Sequence, residues 1–200
     1  MVHTLIVPGL NGSGPDHWQS WWLALEPDAV WVEQENWAQA DLGRWAGKVE
    51  AALDAAAHPV WIVAHSFGVL ASVQAASRRP DKVVGAFFVA PADPHKFQLS
   101  GRLYGQPLPF PSLVVASSND PWMKLMHAAY WADRWGSHLF NLGNAGHINP
   151  ESGFGPWIEG RTLFQKFVRS HDGIFSGEIP LSGASAGPDF LLSSALHLSL

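Results

Sequence analysis

The sequence predicts an α/β fold, with a mostly parallel sheet of about six strands and helices on both faces. Three observations lead there. Short, continuous apolar runs recur along the chain and stop at turn residues, as buried parallel strands do. The segments between them repeat their apolar residues at helical spacing. The chain has 200 residues, 47% of them hydrophobic and 14% charged, which is enough for one domain with a sizeable core and too few for two ordinary ones.

The elements follow in order. Leu5-Ile6-Val7 is an apolar run ended by Pro8-Gly9 and reads as the first strand. After the loop Leu10–Gly14, Pro15 reads as a first helical position capped by Ser13 or Gly14, with the helix continuing through Trp18–Leu25. Ala29–Glu33 is the second strand. Leu42, Trp45, Ala46, Val49, Leu53 and Ala56 recur at helical spacing and predict an amphipathic helix over Gln39–Ala56. Val60–Ala64 is the third strand, followed by a helix over Phe67–Ser77. Lys82–Ala90 and Leu113–Ala116 are the fourth and fifth strands, Met123–Arg134 a helix, His138–Leu142 the sixth strand and Trp157–Val168 the last helix. Strands alternating with helices imply right-handed crossovers.

Two stretches break this alternation. Pro91–Pro111 is a long connection rich in Pro, Gly and aromatics, and is expected to form a small flap over a site, with Tyr104 and Phe110 as wall residues. Residues 171–200 lack a clear period until a last apolar segment, and are expected to be a flexible extension of a domain spanning 1–170.

Composition excludes several functions. A formal net charge of -5 and only twelve Lys and Arg speak against nucleic acid as a partner. Cysteine is absent, which removes disulfides and thiolate metal sites, and no H-E-x-x-H pattern occurs, so neither a metal nor another cofactor is expected. Met1–Pro8 has no basic region ahead of a long apolar stretch, and no run approaches the roughly 20 apolar residues that span a bilayer. A cytoplasmic location and no membrane partner are expected.

The third strand runs straight into Ala64-His65-Ser66-Phe67-Gly68, with a helix behind it. A nucleophile elbow needs small residues two before and two after the serine, because the strained strand-to-helix turn brings those positions against their neighbours. Ala64 stands where glycine is usual and is still small. The alternative is a serine that merely caps a helix. Serine needs a base, oriented in turn by an acid, and on a sheet of this kind they follow in the order Ser, Asp or Glu, His. Asp120 follows the fifth strand in Ser117-Ser118-Asn119-Asp120-Pro121, and His147 follows the sixth in Gly143-Asn144-Ala145-Gly146-His147. Asp93, after the fourth strand, is the competing acid. His65 adjoins the serine, but its side chain is expected to point away from it. An oxyanion hole needs backbone N–H groups from Phe67 and from the loop after the first strand, where Leu10 is the first candidate and Asn11 the second. The glycines of that loop match neither the dinucleotide fingerprint nor a phosphate loop.

Val7-Pro8-Gly9-Leu10-Asn11-Gly12-Ser13-Gly14, His17-Trp18, the Ser66 elbow, Asn119-Asp120-Pro121, Gly146-His147-Ile148-Asn149 and Ser152-Gly153-Phe154-Gly155 together resemble the small serine hydrolase family of the α/β-hydrolase superfamily, which includes the retinoblastoma-binding serine hydrolase and bacterial relatives. The resemblance spans about residues 2 to 169. It implies a minimal α/β-hydrolase fold without a large cap domain, a Ser66-His147-Asp120 triad, and carboxylesterase-like cleavage of a small ester or amide through an acyl-enzyme. Acyl transfer by the same triad and a non-catalytic interaction protein are the alternatives. His17 and Trp18 match a feature near the family's active-site loop, so both are candidates for substrate contact, with Trp18 equally suited to anchoring a helix. Trp18, Trp21, Trp22, Trp31, Trp37, Trp45 and Trp61 invite a sugar-stacking platform, but packing is the stronger reading, with Trp45 and Trp61 on helix and strand faces expected to be core.

Overall fold

The computed structural model describes residues 3–171; the expected extension 171–200 lies, beyond its first residue, outside the described residues. Six strands are formed: β1 (Thr4–Val7), β2 (Ala29–Trp31), β3 (Val60–His65), β4 (Val83–Val89), β5 (Ser112–Ala116) and β6 (His138–Asn141). They make one sheet in the order β2-β1-β3-β4-β5-β6, with every pairing parallel. Among the described residues the five α-helices are α1 (Trp18–Leu25), α2 (Leu42–Ala55), α3 (Phe67–Ala76), α4 (Leu125–Trp135) and α5 (Ile158–Arg169).

Alternation along the strands sorts the core into two layers. Leu5, Val7, Ile62, Ala64, Phe88 and Val114 face α2, α3 and α4. Ile6, Trp61, Val63, Phe87, Val89 and Val115 face α1 and α5. Because both faces are covered, strands such as β3 are buried along their whole length, which explains why their sequences are continuous apolar runs.

The chain passes from β1 to β2 in one direction and then builds β3 to β6 in the other. The loops after β1 and β3 therefore diverge, and a crevice opens between them at the carboxyl edge of the sheet. The Gly9 loop and the Ser66 turn both leave from that point.

Three expectations need correction. Helix α1 begins at Trp18, not Pro15, and its cap is His17, whose Nδ1 accepts the Gln19 N–H at 3.2 Å. The Ser13 hydroxyl is engaged elsewhere, donating to Gln19 Oε1 at 2.7 Å. Helix α2 starts only at Leu42, because Asp41 caps it by accepting the Arg44 N–H. The connection from β4 to β5 is not a flap walled by Tyr104 and Phe110. It takes the place of a crossover helix, with Leu99, Leu103, Leu108 and Phe110 buried against α3 and α4. Tyr104 is tied down on both sides of its backbone, its N–H donating to Gln74 Oε1 and its carbonyl accepting from Trp135 Nε1. Among the described residues no inserted domain interrupts the sheet, and no helix is long and apolar enough to cross a membrane. Trp18, Trp22, Trp45 and Trp61 are buried, as core residues should be, while Trp21 is 46% exposed.

Candidate active site

Ser66 sits between β3 and α3 with φ 54° and ψ −123°, a conformation that non-glycine residues rarely adopt. Its own N–H donates to Val89 O, which ties the turn to β4. Two residues on, a β-carbon at Gly68 would lie 2.3 Å from the Pro8 carbonyl oxygen, so α3 reaches the end of β1 only because that position has no side chain. Gly9, in turn, lies directly beside Ser66.

The structure brings Ser66, His147 and Asp120 together. Ser66 Oγ is 2.9 Å from His147 Nε2, and His147 Nδ1 is 2.8 Å from Asp120 Oδ2. The Asp120 side chain is 2% exposed, and its other oxygen accepts the N–H groups of Trp122 and Met123. A carboxylate only accepts, so Nδ1 of His147 carries the proton and Nε2 offers a lone pair to the serine hydroxyl. That tautomer is the one a general base requires.

The loops carrying Asp120 and His147 are stitched to each other. Asn119 Oδ1 accepts the Gly146 N–H at 2.7 Å, Ser117 Oγ accepts the Ala145 N–H, and Ser118 N–H donates to Gly143 O. The His147 N–H donates to Ser152 Oγ, whose own proton goes to Asn149 Oδ1. These bonds give physical content to the Asn119 and Ser152 positions of the sequence pattern.

Asp93, the competing acid, has other partners. Asp93 caps a short 3₁₀ turn by accepting the His95 N–H and pairs with His127 Nδ1 at 2.9 Å. His65 turns to the backbone of the loop after β6, its Nε2 donating to His147 O at 2.9 Å. Of the oxyanion candidates, Asn11 drops out because its N–H already donates to Trp37 O at 2.8 Å. The N–H groups of Leu10 and Phe67 have no protein acceptor among the described residues. Phe67 is the first residue of α3, where no intrahelical partner exists.

His17 and Trp18 do not line the site surface. Trp18 is fully buried between Trp22 and Trp157, and its Nε1–H donates to Ile148 O at 2.9 Å. His17 is 5% exposed and packs its ring 4.8 Å from that of His65. Burial, reinforced by the nearby His147, pushes the His17 imidazole down to about 4 from its ordinary 6.5. Burial also holds His65 well below its usual range, with His147 and His17 adding to the effect. Both rings are therefore neutral near pH 7. Ile148, directly after His147, is buried with φ 50°, a conformation no sequence pattern announces. Among the described residues no cluster of His, Asp and Glu suits a metal ion.

The family described as serine hydrolase matches residues 4–166. A protein described as a YdeN-like hydrolase, from Pectobacterium atrosepticum, is 39% identical over 85% of this chain and 92% of its own, with a TM-score of 0.81. The ydeN gene product of B. subtilis is 18% identical over 84% of this chain and all of its own, with a TM-score of 0.70. Est1E from Butyrivibrio proteoclasticus, solved with ferulic acid bound, shares the fold at 12% identity and a TM-score of 0.67, over 86% of this chain and 90% of its own. No curated protein matches the chain in sequence. The chain has the α/β-hydrolase fold and belongs to the serine hydrolase family.

Proposed function

We propose that the protein cleaves small esters or amides through an acyl-enzyme, with Ser66 as nucleophile, His147 as general base and acid, and Asp120 as the group that orients His147. The observation that carries this reading is the unbroken hydrogen-bonded chain from Ser66 Oγ through His147 to Asp120, set on a strained turn at the topological switch of the sheet.

Ser66 Oγ attacks the substrate carbonyl carbon while its proton passes to His147 Nε2. The carbonyl oxygen becomes an oxyanion, and the N–H groups of Leu10 and Phe67 stabilise it. As the tetrahedral intermediate collapses, the bond to the alcohol or amine breaks and His147 returns its proton to that leaving group. Water then attacks the acyl-Ser66 carbonyl with His147 again as base, releasing the acid and restoring the serine. Asp120 keeps the imidazole in one tautomer and stabilises its charged form in both halves.

A fluorophosphonate probe should add one adduct to Ser66, and a panel of short acyl esters should be hydrolysed by the wild type but not by Ser66→Ala. Absence of an adduct on folded protein, or turnover by Ser66→Ala, would remove the assignment. Adding an alcohol or amine acceptor to the same assay separates hydrolysis from acyl transfer by the partition of products.

A further inference from the structure

The base of the proposed reaction is held by its own backbone as well as by Asp120. Two successive carbonyls, those of His147 and Ile148, each receive a buried side-chain donor: His65 Nε2–H at 2.9 Å and Trp18 Nε1–H at 2.9 Å. Ile148 adopts φ 50°, which a β-branched residue takes only when its surroundings impose it. His65 precedes Ser66 in the chain. The contacts therefore close a ring, running from Ser66 to His65 by a peptide bond, from the His65 imidazole to the His147 carbonyl, and from the His147 imidazole back to Ser66 Oγ.

From this closed ring we infer that His65 is a positioning residue: its Nε2–H fixes the backbone of His147 and thereby the distance from His147 Nε2 to Ser66 Oγ. Donation to a carbonyl requires the proton on Nε2 of His65. The ring is locked in place from three sides, by His147, by the edge of His17 and by Trp18. His17 is itself fixed, because its Nδ1 accepts the Gln19 N–H, while the Gln19 side chain donates to the carbonyls of Val7, at the end of β1, and Val63, within β3. Nucleophile and base are thus referenced to the same two strands. Burial keeps His65 uncharged, so the imidazolium that forms on His147 during turnover faces a neutral neighbour.

The inference rests on His147 being the base, and the test separates the two. Gln carries an amide N–H near the reach of a histidine Nε2, whereas Asn places its N–H nearer the Nδ1 position. His65→Gln and His65→Asn are therefore matched polar variants that differ in whether they reach the His147 carbonyl. His65→Gln is expected to keep kcat within a few-fold of wild type. His65→Asn is expected to lose kcat on the order of 10-fold to 100-fold, with KM changed far less, because misplacement of a reacting group acts on the chemical step. Trp18→Phe, which deletes the donor to Ile148, should lower kcat in the same way. Equal kcat in the Gln and Asn variants, or a Gln variant as impaired as the Asn one, would overturn the role of His65. Turnover by Ser66→Ala, measured alongside, would instead overturn the reading of the site itself.

Discussion

A β-carbon on Gly9 would stand 2.7 Å from the Cβ of Ser66 and 3.3 Å from its Oγ. The loop after β1 thus lies against the serine itself, one residue from the Leu10 N–H that faces the reacting carbonyl in the proposed mechanism. Gly9→Ala should push either the loop or the serine out of place. A shift of about 1 Å at a reacting centre costs on the order of 100-fold in rate. Steady-state kinetics on a short p-nitrophenyl ester, with fluorophosphonate labelling rates beside them, should show such a loss. Wild-type rates in the alanine variant would mean that the loop yields freely.

Asp120→Asn tests the orienting acid. The amide oxygen still accepts the N–H groups of Trp122 and Met123, which directs the amide nitrogen at His147 Nδ1. His147 must then carry its proton on Nε2, where it no longer accepts from Ser66. The kcat is expected to fall by about 10⁴-fold, as the loss of tautomer control predicts. Circular dichroism and melting curves should show the fold retained.

The oxyanion assignment concerns backbone, so side chain and N–H must be separated. Leu10→Ala keeps the N–H and should leave kcat within a few-fold of wild type. Leu10→Pro removes it and should lower kcat by about 100-fold to 1000-fold, the usual value of one oxyanion donor. Similar rates in the two variants would move the second donor elsewhere.

His17 makes acid stability measurable. In the unfolded chain its imidazole takes up a proton near 6.5, whereas in the fold burial delays this until about 4. Between those values the unfolded state binds more protons, so stability is complete above about pH 6.5 and declines as pH falls toward 4. A displacement of this size corresponds to about 3 kcal/mol. His65 acts in the same direction. Asn is a good helix cap and does not titrate, so His17→Asn should keep α1 capped while flattening the loss. Urea unfolding at about pH 7 and about pH 4.5 measures the slope for both proteins. An unchanged slope in the variant would exclude His17 as its source.

Much of this arrangement is legible in the chain because the central strands of the sheet are buried on both faces. Val60–Ala64 announces a strand by being apolar throughout, and Asp120 and His147 become meaningful once each is seen to follow a strand. What escaped depends on contacts distant in sequence. Nothing near Asn11 reveals that Trp37 O takes its N–H, and nothing near Trp18 reveals that its indole N–H holds Ile148 O, 130 residues away. Of the two readings open for Trp18, its burial favours the helix anchor, because its environment is set by Trp157 and by the His147 loop. The start of α1 is hidden from local sequence because histidine is an uncommon cap, and its suitability depends on a ring rotamer that local sequence does not fix. Tyr104 and Phe110 look like wall residues because an aromatic loop has the same sequence character whether it covers a site or replaces a helix.

Among the described residues, the non-glycine positions with positive φ are Asn11, Ser66, Ala90, Gln98, Ile148 and Trp157; Asn11, Ser66 and Ala90 follow the carboxyl ends of β1, β3 and β4, Ile148 and Trp157 lie between β6 and α5, and Gln98 ends the short 3₁₀ turn between β4 and β5. None lies in the connections that return from α1, α2, α3 or α4 to the next strand. A population of variants selected for heat resistance alone would relax these positions first, exchanging them for glycine or letting their loops settle into easier conformations. Ser66 and the residue after His147 are among them, so such selection would dismantle the reactive edge while leaving the opposite edge of the sheet untouched.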